Sequence, residues 1–198
     1  MLRHVDPLRQ DSLRQDSGSY DLSLPISLTV SSGLMKYCQL DRIVELDPGK
    51  RLVAQRTLRA EEEYLRDHFP KFPVMPGVMM LEALYQAAVW MVRTGEDFAS
   101  PLVLLKEAKS VKFGDFLCPG ETLNITVERL KEDGPLVTVK ASAEKGSKTS
   151  VMARLVLEKC STQLPERLAT DRMMRQVSRE KFERLFGPLA SFVGPNVD

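Results

Sequence analysis

A helical segment that is apolar on nearly every side is the feature that most constrains the fold of this chain. It extends from Pro76, which suits the first helical position, to Thr94, and it contains one carboxylate, that of Glu82. A helix without a polar face must be buried around its circumference. The remainder of the chain therefore has to form a surface that wraps around this helix.

A predicted β-hairpin precedes the helix. Residues 40–46 (LDRIVEL) and 51–58 (RLVAQRTL) have the pattern of strands, and the turn sequence Asp-Pro-Gly-Lys at 47–50 joins them. Residues 61–67 (EEEYLRD) are expected to form a short helical or irregular connector from this hairpin towards the helix.

Four strand-like segments follow the helix, at residues 102–113, 123–132, 136–144 and 149–159. In the second of these, Leu123, Ile125 and Val127 alternate with polar residues, which indicates an antiparallel sheet with one buried face. The sequence thus predicts an α+β fold in which a curved antiparallel sheet wraps around one long central helix. The open edge of such a sheet favours pairing with a second copy of the chain.

The two ends of the chain differ in composition from its centre. Residues 1–22 predict a polar N-terminal arm, residues 23–160 the domain of sheet and helix, and residues 161–198 a helical C-terminal extension. The extension carries apolar residues near helical spacing, namely Met173, Met174, Val177, Phe182 and Leu185. We expect this face to pack on the core or on a neighbouring subunit.

The composition is that of an ordinary soluble protein. Of 198 residues, 43% are hydrophobic and 28% are charged, and the net charge of +1 gives no indication of nucleic-acid or anionic-membrane binding. No apolar run reaches the roughly 20 residues that span a bilayer, and the N-terminus lacks the apolar core of a secretory signal. The three cysteines are far apart and indicate free thiols. We therefore expect a cytoplasmic protein.

The start of the helix combines groups that suit proton-transfer chemistry. His68 lies just upstream, and a histidine side chain can accept or donate a proton near neutral pH. The backbone N–H groups of Gly77 and Val78 lack intrahelical partners and could polarise a carbonyl oxygen. Burial would favour the protonated form of Glu82, and Gln86, four residues later, could orient that carboxyl.

A base, an acid and a carbonyl-polarising amide are together what the elimination of water from a 3-hydroxyacyl thioester requires. Polarisation of the carbonyl acidifies the α-proton, and the β-hydroxyl leaves only when it is protonated. Taken one by one, the same residues have ordinary structural interpretations. A lone histidine is usually satisfied by hydrogen bonds, a helix glutamate usually faces water, and Met75 and Met79 could fill the core or line an acyl channel.

The segment that begins at His68 resembles the active-site signature of FabZ-type 3-hydroxyacyl-[acyl-carrier-protein] dehydratases, which have the hot-dog fold. The matching residues are His68-Phe69-Pro70, Pro73-Val74-Met75-Pro76-Gly77-Val78, Glu82-Ala83 and Gln86. The resemblance covers about residues 38–158 and includes Leu40-Asp41-Arg42-Ile43, Pro48-Gly49-Lys50, Val111-Lys112-Phe113 and Pro119-Gly120-Glu121.

The resemblance implies a role for each residue of the proposed set. His68 would abstract the α-proton, Glu82 of a partner subunit would protonate the leaving hydroxyl, and the amides of Gly77 and Val78 would bind the thioester carbonyl, with Gln86 supporting Glu82. A glutamate at position 82 is typical of the simple dehydratases rather than of the relative that also isomerises the double bond. Candidate contacts to the substrate channel or to the carrier are Phe69, Lys71, Met75 and Met79.

The resemblance also implies partners. These are an acyl carrier protein with a phosphopantetheine-linked acyl group and a second copy of the chain, as a homodimer or a trimer of dimers; neither a cofactor nor a metal is implied. Lys71 and Asp67 depart from the family, which usually has glycine or a small residue there. Two other functions stay open: a non-catalytic hot-dog subunit that binds acyl thioesters, and a specialised hot-dog hydratase or thioesterase that acts on another carrier.

Overall fold

The computed structural model describes residues 37–160 and 168–192. In these ranges it contains two α-helices, α1 (Gly77–Gly95) and α2 (Leu168–Phe186), and six strands: β1 (Arg42–Asp47), β2 (Arg51–Thr57), β3 (Leu102–Phe113), β4 (Thr122–Asp133), β5 (Leu136–Lys145) and β6 (Lys148–Cys160). Two short 3-10 turns occur at Glu63–Arg66 and Leu189–Ser191. The predicted arm at 1–22 lies outside the described residues, as do residues 23–36 of the predicted domain and residues 161–167 and 193–198 of the predicted extension.

The six strands form one sheet in the order β1-β2-β4-β5-β6-β3, and all neighbours are antiparallel. Every strand matches a segment that the sequence predicts, and the connector after β2 contains the 3-10 turn. α1 packs across one face of the sheet and contacts all six strands. The predicted α+β plan of a sheet around one long helix is therefore confirmed.

One side of α1 is apolar and packs against the sheet. Met80, Ala83, Leu84, Ala87 and Met91 are at most 3% exposed and belong to the same core as the inward-facing residues of the sheet. Their spacing of three and four residues places them on one side of a helix. Removing this apolar surface from water is the main force that holds the helix on the sheet.

The prediction that α1 is buried on all sides is wrong for one stripe. Val78 is 70% exposed, and Leu81, Glu82, Tyr85 and Gln86 are only half-buried. These positions recur every three to four residues, so they form one continuous face. The sheet of a single chain reaches around only part of the helix, and this stripe stays uncovered.

The two ends of α1 are set by particular residues. Pro76 is the N-cap, so the helix begins at Gly77, one residue later than the sequence predicts. At the other end the β1–β2 turn packs directly on the helix: a Cβ on Gly95 would lie 2.3 Å from the Cα of Gly49. Gly49 also donates its N–H to the carbonyl of Met91 at 3.0 Å. Two glycines are needed for this close approach.

α2 is held against the C-terminal end of α1 by aromatic packing. The ring of Phe182 is fully buried and lies 5.5–6.1 Å, between centroids, from the rings of Trp90, Phe98, Phe186 and Phe192. These mostly edge-on contacts are favourable geometries for aromatic pairs.

Ion pairs add to this packing of α2. Arg175 and Arg179 both form ion pairs with Asp97, and the guanidinium of Arg179 lies 5.2 Å from the centre of the Phe98 ring. Phe182 and Leu185 pack on the core as the sequence predicts. Met173 and Val177 do not, because the aromatic cluster turns a different side of α2 inward and leaves both exposed.

We predict that Phe182→Ala lowers the free energy of unfolding by about 3–5 kcal/mol, the usual cost of deleting a buried phenylalanine ring. Met173→Ala, on the exposed side of the same helix, should change the unfolding free energy by at most about 0.5 kcal/mol. Urea unfolding of both variants measures the difference. Equal midpoints for the two variants would contradict the packing of α2 described above.

Candidate active site

The loop between the 3-10 turn and α1 carries His68 with its ring in a defined orientation. The His68 N–H donates to the carbonyl of Tyr64 at 3.0 Å, and ring atom Nδ1 lies 3.0 Å from the carbonyl oxygen of Val74. A carbonyl oxygen can only accept, so the neutral ring bears its proton on Nδ1. Nε2 is then left with a free lone pair, which is the form that a general base requires.

The residue after His68 has an unusual backbone conformation. Phe69 has a φ of 48°, in the left-handed region that an aromatic residue rarely adopts. Such a conformation costs on the order of 1–3 kcal/mol and persists only when the surrounding structure imposes it. The ring of Phe69 lies 4.4 Å from the imidazole of His68, centroid to centroid. Strain is therefore stored directly beside the candidate base.

The start of α1 presents two unpaired backbone donors. The carbonyl of the N-cap residue Pro76 accepts the N–H groups of Met79 and Met80, at 2.9 and 3.2 Å. The N–H groups of Gly77 and Val78 have no acceptor among residues 37–160 and 168–192. They lie at the positive end of the helix dipole, so a carbonyl oxygen placed there would be polarised.

A cavity of about 350 Å³ joins His68 to the start of α1. His68 and Gly77 line it together with the apolar residues Met75, Met80 and Phe113. The structure thus brings together four of the residues that the sequence singled out, His68, Phe69, Met75 and Gly77. Lys71, Val78, Met79, Glu82 and Gln86 are not among the residues that line it.

Glu82 and Gln86 form a second cluster on the uncovered stripe of α1. Gln86 Nε2 donates to Glu82 Oε1 at 2.9 Å, as the spacing predicts, and also to the carbonyl of Tyr37 at 2.8 Å. Gln86 Oε1 accepts the N–H of the buried residue Gln39 at 2.8 Å. The side-chain amide of Gln86 is therefore fixed, and it orients the Glu82 carboxyl. Burial, followed by the negative charge of Glu82, raises the pKa of the neighbouring Tyr85.

Sequence reasoning missed one wall of the cavity, the segment Phe113–Phe116, which begins at the last residue of β3. A Cβ on Gly77 would lie 2.9 Å from Cε1 of Phe113, so this ring rests on the first residue of α1. A Cβ on Gly114 would lie 2.5 Å from the carbonyl oxygen of Thr149, so only glycine fits there. The resemblance included Phe113 but attached no role to it. A strand end followed by glycine is common, and this pattern alone does not indicate a cavity wall.

A lysine organises the same wall. Lys145 Nζ donates to the carbonyl of Phe116 at 2.7 Å and lies 3.1 Å from Asp115 Oδ2. The hydrogen bond from Lys145 holds the pKa of Asp115 below its usual range, so a negative charge stands in the cavity wall. The sequence does not predict the contact between Lys145 and Phe116, because the two residues are 29 positions apart and meet only in the folded chain.

The mouth of the cavity is aromatic. Four of the eight phenylalanines in the chain are there and are 53–59% exposed: Phe69, Phe72, Phe113 and Phe116. The rings of Phe72 and Phe116 meet edge to face, with centroids 5.9 Å apart. An exposed apolar group of this kind commonly marks a binding site for an apolar ligand or a partner.

Among residues 37–160 and 168–192, no three histidine, cysteine, aspartate or glutamate side chains are grouped so that they could hold a metal ion. Cys38, Cys118 and Cys160 are free thiols. Neither described helix is both long and apolar enough to cross a membrane.

Solved structures with a similar fold include a protein of the dehydratase heterocomplex ApeI:P from Xenorhabdus doucetiae. It has a TM-score of 0.55 and 18% identity, over 68% of this chain and 90% of that one. The conserved protein PA5202 from Pseudomonas aeruginosa has a TM-score of 0.53 and 16% identity, over 69% of this chain and all of the other. At these identities the similarity establishes the fold.

Sequence similarity is higher to curated relatives. The 3-hydroxyacyl-[acyl-carrier-protein] dehydratase FabZ of Levilactobacillus brevis is 36% identical over 116 residues, which are 59% of this chain and 78% of that protein. The FabZ of Clostridium kluyveri is 33% identical over 117 residues, 59% of this chain and 81% of that protein. The sequence model of the FabA-like domain matches residues 34–154. The chain therefore belongs to the FabA-like family and is a hot-dog protein of the FabZ type.

Proposed function

We propose that this protein dehydrates 3-hydroxyacyl groups on an acyl carrier protein to trans-2-enoyl thioesters, a step of fatty acid synthesis. The observation that carries the proposal is the cavity that both His68 and Gly77, the first residue of α1, line. The FabZ relatives are named for this reaction, and the chain covers more than three quarters of those two proteins.

The chemistry assigns one step to each group. The thioester carbonyl accepts a hydrogen bond from the Gly77 N–H, with Val78 beside it, and the α-proton becomes more acidic. His68 Nε2 takes that proton, and the electron pair of the C–H bond forms the α,β double bond. The β C–O bond breaks as Glu82, in its acid form, protonates the hydroxyl, which leaves as water. The imidazolium and the carboxylate that remain return to their starting forms by proton exchange.

The acid has to come from a second subunit in this proposal. Glu82 does not line the His68 cavity of its own chain and lies instead on the uncovered stripe of α1. The edge strand β3 is 12 residues long and exposes Leu102, Leu104 and Leu105. A long apolar strand edge is usually covered by a partner. A two-fold dimer would cover both surfaces and place Glu82 of each chain in the site of the other.

The aromatic mouth fits an acyl chain. Phe69, Phe113 and Met75 would contact the apolar substrate, because all three line the cavity. Met79 is half-buried against the core and does not reach the cavity wall, so its proposed contact would have to be made in the dimer.

We predict that His68→Ala and Glu82→Gln each lose about 10²–10⁴-fold in activity, the usual contribution of a general base or acid. Loss of the conjugated-enoyl absorbance, as crotonyl and longer enoyl thioesters are hydrated, measures the reverse reaction. Both variants should keep the unfolding temperature of the wild type. Glu144→Gln, at an exposed position of β5, is the matched control and should stay fully active. Activity within a few-fold of wild type in either variant would show that its role is wrongly assigned.

Lys71 is proposed to act on binding rather than on chemistry. It is exposed, three residues from His68, and outside the cavity wall. Its ammonium could contact the phosphate of phosphopantetheine or the acidic surface of a carrier.

We therefore predict that Lys71→Gly raises KM for carrier-bound substrates at low salt, because a rim charge accelerates encounter, and leaves kcat nearly unchanged. Coenzyme A substrates separate the two contacts: an equal rise in KM indicates the phosphate, and a smaller rise indicates the carrier surface. An unchanged KM at low salt with the carrier-bound substrate would contradict any role for Lys71 in binding.

A further inference from the structure

A buried cation occupies a core-facing position of β2. Leu52, Ala54 and Arg56 stand at alternate positions of this strand, and all three are buried, Arg56 to 3% exposure. A guanidinium at a position that the strand period assigns to an apolar residue is unfavourable unless it is paired. Its Nε N–H is buried without an acceptor in the described part of the chain, which adds to the cost of burying this side chain.

The guanidinium is paired with two carboxylates. Nη2 of Arg56 contacts both carboxylate oxygens of Glu62 at 2.5 Å, and Nη1 lies 3.5 Å from Asp41 Oδ1. The Glu62 carboxylate also accepts the N–H of Arg59 at 3.0 Å and the hydroxyl of Tyr64 at 2.7 Å. Three residues therefore donate to this one carboxylate, and its orientation is fixed. Burial, followed by the hydrogen bond and charge of Glu62, raises the pKa of Tyr64, which keeps the phenol a donor.

The backbone connects this network to His68. Glu62 directly precedes the 3-10 turn, and its carbonyl accepts the N–H of Leu65, a buried residue, at 3.0 Å. The carbonyl of Tyr64, within the turn, accepts the N–H of His68 at 3.0 Å. Tyr64 is thus fixed at its hydroxyl by Glu62 and holds the main chain of His68 with its carbonyl.

The loop needs such support because it is strained. Phe69, next to His68, has a left-handed backbone, and the ring of His68 has one further hydrogen bond, to Val74. A strained conformation persists only where neighbouring contacts over-determine it. The hydrogen bond from the N–H of His68 to the carbonyl of Tyr64 lies directly before the strained residue. Tyr64 is in turn immobilised by Glu62, which is paired with Arg56.

We propose that Arg56, Glu62 and Tyr64 are positioning residues that hold the His68 imidazole in line with the start of α1. The inference rests on the proposed role of His68 as the base. None of these three described residues lines the cavity, so they act through His68 and not on the substrate. If the base is displaced, proton abstraction slows while substrate binding is preserved.

Glu62→Gln tests the proposal, because it keeps the shape of the side chain and removes its charge. We expect kcat to fall about 10- to 100-fold with KM within about threefold, as for other small displacements of a reacting group. Tyr64→Phe keeps the ring and removes only the donor to Glu62, so kcat should fall less, with the same unchanged KM. Glu132→Gln removes another ion-paired carboxylate, paired with Lys159, and is the control that should keep the wild-type kcat.

The same substitutions in a His68→Ala background separate positioning from loss of folded protein. If the network acts through His68, Glu62→Gln should change the residual activity of His68→Ala by less than about twofold. Equal reductions in both backgrounds, or wild-type kcat in both Glu62→Gln and Tyr64→Phe, would overturn the proposal. Near-normal activity of His68→Ala alone would instead overturn the assignment of the base, and with it this proposal.

Discussion

The burial of one side of α1 against all six strands holds the helix in place and thereby positions the candidate site. Each large apolar side chain that is fully removed from water contributes roughly 1.5–3 kcal/mol, and this helix buries several, including Leu84 and Met91. The packing fixes the helix end to end. At its start, the ring of Phe113 rests on Gly77; at its end, Gly95 meets Gly49. The amide donors of the candidate site are therefore placed by the core.

The eight phenylalanines divide between the two ends of this helix. Four surround the mouth of the cavity, and the other four, Phe98, Phe182, Phe186 and Phe192, join Trp90 in the cluster that holds α2. A helix of 19 residues is about 28 Å long. The C-terminal helix is thus docked far from the candidate chemistry.

Much of this arrangement could be predicted from the sequence, because its signals are local. Alternation identified the strands, and the short separation of His68 and Gly77 placed them at the same end of the helix. Contacts between distant segments could not be predicted. The ring of Phe113 on Gly77, the bond from Lys145 to Phe116 and the burial of Arg56 at a core position all depend on tertiary packing. For the same reason the sequence could not show which apolar residues of α2 meet the core, since contacts with Trp90 and Phe98 select Phe182.

In the proposed dimer two chains share each site, and an exchange of subunits tests this sharing. The His68→Ala and Glu82→Gln proteins, each of which should be nearly inactive alone, are unfolded and refolded together, and tagged subunits confirm the exchange. With random pairing about half of the dimers are mixed, and each mixed dimer keeps one intact site of two, so recovered activity should be roughly a quarter of wild type. Activity near zero after confirmed exchange would contradict the shared site and leave His68 and Glu82 of one chain as the pair.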